Sequence, residues 1–171
     1  AFQNVADSLA ALEHAAQARD ATSRAALSAR GAYDDAAARV RLGALPPSAA
    51  RASELQYRNA RLDEIRTAAS ELNEDGRRDY AGTLMKYRAA FRDYGIDVES
   101  LPMVEAVQAI RARPIAGELA VALDFWSTVR HDVTSDKAGV AWRYLTEIAR
   151  QADPDSWRQA LRRARANNDR Q

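Results

Sequence analysis

The stretch RRDYAGTLMKYRAAFRDYGIDVESLPMVEAVQAIRARPIAGELAVALDFWSTVR, residues 77–130, decides the fold of this chain. It holds both methionines and a series of aromatic residues that ends at Trp126. Its large apolar residues recur at intervals of three and four, the spacing that puts side chains on one side of an α-helix. We therefore expect the core here, preceded by an alanine-rich arm and followed by two short helices that pack back onto it.

The composition of the 171 residues predicts helix almost throughout. Alanine and arginine dominate, and the chain has only seven glycines and five prolines. Alanine loses no side-chain entropy in a helix and arginine loses little. No segment alternates β-branched or aromatic residues with polar ones between turn signals, which is the pattern of a strand. The sequence predicts an all-α protein with two parts: a helical hairpin arm, residues 1–75, and a tetratricopeptide-like bundle of five helices, residues 76–171.

The arm carries a heptad-like pattern. Gly43 and the pair Pro46-Pro47 end the first helix, because proline has no amide hydrogen to donate, and Ser48 is the expected N-cap of the second. Two such helices joined by a short turn form an antiparallel, coiled-coil-like hairpin. The seam of the first helix is strong at both ends and weakened in the middle by Arg19, Ser23 and Arg30. Its positions are Phe2, Val5, Leu9, Leu12, Ala16, Arg19, Ser23, Ala26, Arg30, Tyr33, Ala37 and Val40.

The two arm helices differ in predicted length, so the N-terminal end of the first extends past its partner. Phe2, Val5, Leu9 and Leu12 then need another surface to cover them, and they are our candidate interaction residues. The cover is the second part of the chain, a second copy of the chain, or sequence outside it. Because the chain begins with alanine and not methionine, we expect a fragment or a processed product.

The second part predicts a central helix over residues 114–130, apolar on several sides. Gly95 ends an earlier helix at a position that favours a left-handed residue. Asp153-Pro154 is the expected cap and first residue of the last helix. In that helix we expect Trp157, Leu161 and Ala164 to face inward, and Arg162, Arg163 and Arg165 to complement the C-terminal carbonyl groups.

The residues predict no site for chemistry. Cysteine is absent, which excludes disulfides and thiolate ligands, and His14 and His131 lie far apart without carboxylates at ligand spacing. Glycine-rich phosphate loops, nucleophile elbows and the protein-kinase signatures are missing. We expect no catalytic, cofactor-binding or metal-binding residue and no cofactor. Trp142 is a further candidate for an interaction surface, because it lies off the apolar stripe of its helix.

Charge and hydropathy limit the partners. The 25 basic and 24 acidic residues are interspersed and give a net charge of +1, which argues against a dedicated nucleic-acid surface. No apolar segment approaches the ~20 residues that span a bilayer. We expect protein partners, or self-association through the arm, and contact with a membrane only through sequence outside this chain.

Three segments of the second part are similar to a known family. Their most distinctive motifs are Ala90–Asp97, Leu123–Trp126 and Ala152–Trp157. Over residues 61–166 the chain resembles the helical region between the kinase domain and the tetratricopeptide repeats of large bacterial membrane-anchored serine/threonine protein kinases.

The resemblance implies a role in signalling for a parent protein, with ATP and a membrane anchor belonging to that parent. It lends no catalytic residue to this chain, because the kinase motifs would lie upstream. It implies a non-catalytic, soluble scaffold or interaction region that couples a kinase domain to a partner-binding array. The alternatives are an independent homo-oligomeric coiled-coil adaptor and, as a third class, an enzyme or ligand-binding bundle.

Overall fold

The computed structural model describes residues 2–70, 78–133, 140–153 and 155–168. These residues form helices and connecting turns without a strand, so the prediction of an all-α protein is confirmed. The helices are α1 (Phe2–Arg41), α2 (Pro47–Ala69), α3 (Tyr80–Asp93), α4 (Met103–Arg111), α5 (Ala116–Val133), α6 (Val140–Ala152) and α7 (Ser156–Asn168).

The chain divides into two compact units, Ala1–Asp79 and Tyr80–Gln171. The first unit contains α1 and α2, and the second contains α3 to α7. The boundary predicted at Gly76 lies in the segment 71–77, outside the described residues.

The turn between α1 and α2 is built on Gly43. Its φ of 72° is left-handed, a conformation that costs glycine little because it has no Cβ. The Gly43 amide donates to the Val40 carbonyl at 3.0 Å, and the Ala44 amide donates to the Arg39 carbonyl at 2.8 Å. These two bonds are the Schellman pattern, which satisfies carbonyl groups at the end of a helix. The predicted stop at Gly43 is confirmed.

The two helices of the first unit pack on each other in opposite directions. The rings of Tyr33 and Tyr57 stack with centroids 6.2 Å apart, and Ser23 Oγ donates to Glu64 Oε1 at 3.3 Å. The buried residues of the contact are Ala26, Ala36 and Ile65.

Two details of the arm differ from expectation. Arg30 is exposed, because its long charged side chain stays in water while the neighbouring Ala29 is half-buried. Helix α2 begins at Pro47 and its N-cap is Pro46, so Ser48 lies inside the helix and does not cap it. Proline at the first helical position requires no amide hydrogen bond there, which lets the helix begin two residues earlier than a Ser48 cap would.

The core of the second unit surrounds α5, which packs against α3, α4 and α6. Trp126 is its largest buried side chain, and its ring lies 6.1 Å from that of Tyr87 and 5.6 Å from that of Phe91. Leu123, one turn earlier on α5, is fully buried. Aromatic and aliphatic burial of this kind is the main source of stability in a small helical unit.

Gly95 ends α3 in the way that the sequence predicts. Its φ is 77°, its amide donates to Arg92 at 2.8 Å, and the next amide, of Ile96, donates to Phe91 at 3.0 Å. Ile96 is buried, as is Phe91. An apolar pair at these two positions commonly accompanies this helix end, so the turn also brings the following segment into the core.

Candidate interaction surfaces

Leu12, one of the four interaction residues predicted on α1, is 62 % exposed. The described side chains from residue 10 to residue 20 are all exposed. The side chains of Phe2, Val5 and Leu9 lie outside the part that the structure describes. Of the four predicted interaction residues of the arm, Leu12 is therefore the one whose side chain the structure describes, and it is exposed to solvent.

Trp142, the other predicted surface residue, is half-buried at the contact between α6 and α5. Its ring meets the His131 ring edge-on at 5.1 Å, and the Arg143 guanidinium lies 5.1 Å from its centroid. A cation over an indole face and an edge-on ring are both favourable for the aromatic quadrupole. Part of the ring is in contact with this chain, and the role of Trp142 as an interaction residue stays a prediction.

An ionic cluster that sequence reasoning missed holds α7 on the second unit. Arg162 Nη2 donates to Asp124 Oδ2 of α5 at 2.6 Å, and Arg162 Nη1 donates to Asp153 Oδ2 at 2.8 Å. Arg158 Nε donates to the same Asp153 oxygen at 2.7 Å. The Asp153 side chain is fully buried and that of Arg162 nearly so. Two acids and two arginines thus join α7 to α5 and to the end of α6; we call them the α7 ionic cluster.

The pKa of Asp153 is lowered by the hydrogen bonds that its carboxylate accepts in the α7 ionic cluster. Burial by itself raises the pKa, because it disfavours a charged carboxylate. Hydrogen bonds from Arg158, the Asp155 amide and Arg162 together outweigh burial and lower the pKa to about 2. Asp153 is therefore ionised at neutral pH and is used in holding helices together.

The beginning of α7 differs from expectation for the same reason. The cap is Asp155, whose Oδ1 accepts from the amides of Trp157 at 2.8 Å and Arg158 at 3.1 Å, and the helix begins at Ser156. Asp153, the predicted cap, receives the arginines instead. Pro154 lies outside the described residues.

The orientation of α7 is opposite to the predicted one. Trp157 is 70 % exposed, Leu161 is 41 % exposed and Ala164 is also exposed, so none of the three faces inward. The buried residue is Arg162, which bonds acids and not the C-terminal carbonyl groups. Arg163 is exposed, and the side chain of Arg165 is outside the described part. The ion pairs on one side of the helix fix the other side toward solvent.

The sequence does contain a signal for this orientation. Arg158 and Arg162 are four residues apart and share one side of a helix, five and nine residues after Asp153. Asp124 is an acid within the otherwise apolar segment Leu119–Trp126, and a buried acid requires a cationic partner. Matching these charges would have placed the arginines inward.

A second ionic cluster joins α3 to α5 through the segment between α3 and α4. Glu99 accepts hydrogen bonds from Arg88 of α3 and from Arg130 of α5. The hydrogen bond from Arg88 lowers the pKa of Glu99, against burial, and Arg130 lowers it further. This cluster also serves packing, because both arginines reach the carboxylate from different elements.

The described residues contain no group of three or more histidine and acidic side chains placed to hold a metal ion. None of their helices combines the length and apolarity needed to cross a bilayer. Comparisons with family models, curated proteins and solved structures gave no match. The exposed large apolar side chains among the described residues include Leu12 on α1 and the pair Trp157 and Leu161 on α7.

Proposed function

We propose that this chain is a non-catalytic helical scaffold, and that it is a fragment of a membrane-anchored bacterial serine/threonine protein kinase with tetratricopeptide repeats. In this role the antiparallel hairpin of α1 and α2 spaces the kinase domain, and the tetratricopeptide-like bundle of α3 to α7 leads into a partner-binding array. The anchor and the ATP site belong to the parent protein.

The observation that carries the proposal is the layered order of the helices in the second unit. Helix α3 packs on α5, and helix α4 packs on α6. In both pairs the partner is the second helix along the chain. Arg162 of helix α7 also forms an ion pair with Asp124 of α5. The starts of α3 and α5, at Tyr80 and Ala116, are separated by close to the ~34 residues of a tetratricopeptide repeat. Stacked helical repeats have this order, because each unit covers the apolar face of its neighbour.

The use of the buried charges supports a structural role. Asp153 and Arg162 are bound to each other and to further partners, and Glu99 accepts from two arginines. A catalytic acid needs a pKa near the working pH, whereas the pKa of each of these two acids is lowered by its arginines. These groups contribute to joining helices and not to proton transfer.

The proposal is tested by the reading frame that surrounds this sequence. We expect a glycine-rich loop, a catalytic-loop aspartate and an Asp-Phe-Gly triplet upstream of Ala1, and further helical repeats downstream of Gln171. A gene that begins at this sequence, with only an initiating methionine added, would rule out the kinase parent.

The exposed Leu12 on α1 favours a second candidate, an independent homo-oligomeric coiled-coil adaptor. An apolar residue on the unpaired part of a long helix is suited to packing against the same helix of another copy. Light scattering after size-exclusion chromatography of the full chain distinguishes the two. The adaptor requires a mass above that of one chain, reduced to one chain by Leu12→Asp; a monomer at all concentrations excludes it.

A further inference from the structure

The outward side of α7 is an apolar face on a helix that is attached by charges. Positions 157, 160, 161 and 164 lie on one side of a helix with 3.6 residues per turn. Trp157 is 70 % exposed and Leu161 41 % exposed, and both alanines beside them are exposed. The opposite side carries Arg158 and Arg162, which the α7 ionic cluster holds. We call the four residues Trp157, Ala160, Leu161 and Ala164 the α7 face.

The α7 face differs from the other exposed apolar residues of the second unit. Met85 on α3 and Val104 on α4 are exposed at 67 % and 65 %, each on its own helix, and Phe125 and Val133, two turns apart on α5, are each 40 % exposed. Single exposed apolar residues are ordinary on protein surfaces. On α7 a tryptophan and a leucine lie one turn apart with small residues beside them, and buried tryptophans dominate the energetics of protein interfaces.

The shape of the α7 face fits another helix. Ala160 and Ala164 leave a shallow groove next to the ridge formed by Trp157 and Leu161, and helices pack by placing ridges into grooves.

The charges around the α7 face select an acidic partner. Helix α7 contains no aspartate or glutamate from Ser156 to Asn168. Asp124, Asp153 and Asp155 are already bound by Arg158 or Arg162, and the exposed Glu118 of α5 also interacts electrostatically with Arg158. Arg163 is exposed and has no carboxylate partner among the described residues. An apolar surface bordered by an exposed cation is complementary to an apolar helix with carboxylates beside its stripe.

A second copy of this chain fits the α7 face less well. Pairing α7 with itself would bring Arg163 toward another helix that also lacks acids, and like charges at an interface disfavour pairing. We propose that the α7 face is the docking site of an acidic amphipathic helix from a protein partner. The inference rests on the proposed scaffold function and gives it a surface and a class of partner.

Binding of two labelled synthetic helical peptides to the full chain tests the inference. Both peptides carry the same leucine stripe; one has glutamates beside it and the other has lysines. Fluorescence anisotropy should show that the glutamate peptide binds at least about tenfold more tightly than the lysine peptide. Trp157→Ala and Leu161→Glu should each weaken it about tenfold or more, and Arg163→Glu by several-fold.

Met85→Ala and Val104→Ala are the matched controls, since each removes an equally exposed apolar side chain from another helix. Both should leave the affinity unchanged, and circular dichroism checks that every variant remains folded. Equal binding of the two peptides, no binding of either, or unchanged binding by Trp157→Ala would each overturn the inference. So would self-association of the chain that Trp157→Ala abolishes, because the occupant would then be a second copy.

The inference and the proposed function can fail separately. The peptide measurement does not depend on the sequence that surrounds this chain. A missing kinase domain in the flanking reading frame would remove the proposed parent and leave the peptide result as it stands. Failure of peptide binding with kinase motifs present upstream would remove the α7 docking site alone.

Discussion

Arg162 of α7 binds Asp124 of α5 through two nitrogens: Nη2 donates to Oδ2 at 2.6 Å and Nε donates to Oδ1 at 2.9 Å. A fork of this kind is directional as well as strong, because the planar guanidinium matches the two carboxylate oxygens. The Arg162 side chain is 6 % exposed and that of Asp124 is 25 % exposed, so the arginine end of the pair is shielded from solvent. It sets which side of α7 meets the second unit.

Loss of Arg162 should therefore be costly. Arg162→Ala leaves Asp124 and the buried Asp153 with fewer cations, and breaking a buried ion pair in this way costs about 3–5 kcal/mol of unfolding free energy. Arg163→Ala is the matched control: Arg163 is adjacent, exposed and on the same helix, and should change stability by less than about 0.5 kcal/mol. Urea denaturation measures both. Similar midpoints for the two variants would contradict a structural role of the α7 ionic cluster.

Acid should destabilise the second unit in a defined window. The Asp153 carboxyl has a pKa of about 2 in the folded chain and 3.8 as its ordinary value, so the unfolded chain binds more protons between these pH values. Its stabilising contribution, about 2 kcal/mol, is fully present above pH 3.8 and is lost as the pH falls toward 2. Urea midpoints at stepped pH test this. Asp153→Asn should be less stable at neutral pH and should lose the dependence in that window; an unchanged profile would argue against it.

The second ionic cluster, formed by Glu99, Arg88 and Arg130, should contribute less to stability than the α7 ionic cluster. Glu99→Gln removes the charge that receives Arg88 and Arg130, and should lower the free energy of unfolding by about 1–3 kcal/mol. Asp97→Asn is a suitable comparison, because the Arg92–Asp97 pair is more exposed and such pairs contribute less than about 1 kcal/mol. Denaturation curves that rank Asp97→Asn as the more harmful change would refute this assignment.

Trp126 and Trp157 offer a contrast between core and surface. Trp126→Ala should cost about 3–5 kcal/mol by leaving a cavity beside Tyr87 and Phe91. Trp126→Phe should cost less, since the buried Nε1 of Trp126 has no hydrogen-bond partner in the described part of the chain. Trp157→Ala should stay within about 0.5 kcal/mol. Chemical denaturation should give this order. A large loss of unfolding free energy for Trp157→Ala would mean that the Trp157 side chain does not face solvent.

Two glycines predict opposite effects of the same substitution. Gly95→Ala should destabilise by about 1 kcal/mol, because alanine is strained at φ 77° and its Cβ would lie 3.4 Å from Arg113 Nη2. Gly31 is exposed within α1 and has no neighbour within 4 Å of an added Cβ. Gly31→Ala should therefore stabilise α1 by up to about 1 kcal/mol. Thermal unfolding compares the two, and a stabilised Gly95→Ala would contradict the turn geometry.

Local rules were sufficient for much of the fold. Helical composition predicted the class, and Gly43 and Gly95 predicted two helix ends, because a left-handed residue at a helix end depends on the few residues around it. The rules were less successful at helix starts. At Pro47 and Asp155 more than one adjacent residue could cap or open the helix, and the choice depended on what else each side chain could bind.

The sequence by itself determined that this chain is helical and that its large core side chains lie near Trp126, because helix propensity and apolar spacing are properties of neighbouring residues. Only the tertiary structure decided which of two sequence signals, apolar spacing or charge matching, sets the side of α7 that faces inward. In a short helix with apolar residues on one side and arginines on the other, periodicity predicts the apolar side to be buried. Here Asp124 and Asp153, distant in sequence or outside the helix, bind the arginines. Burying an acid without its cation costs more than exposing Trp157 and Leu161, so the charges prevailed.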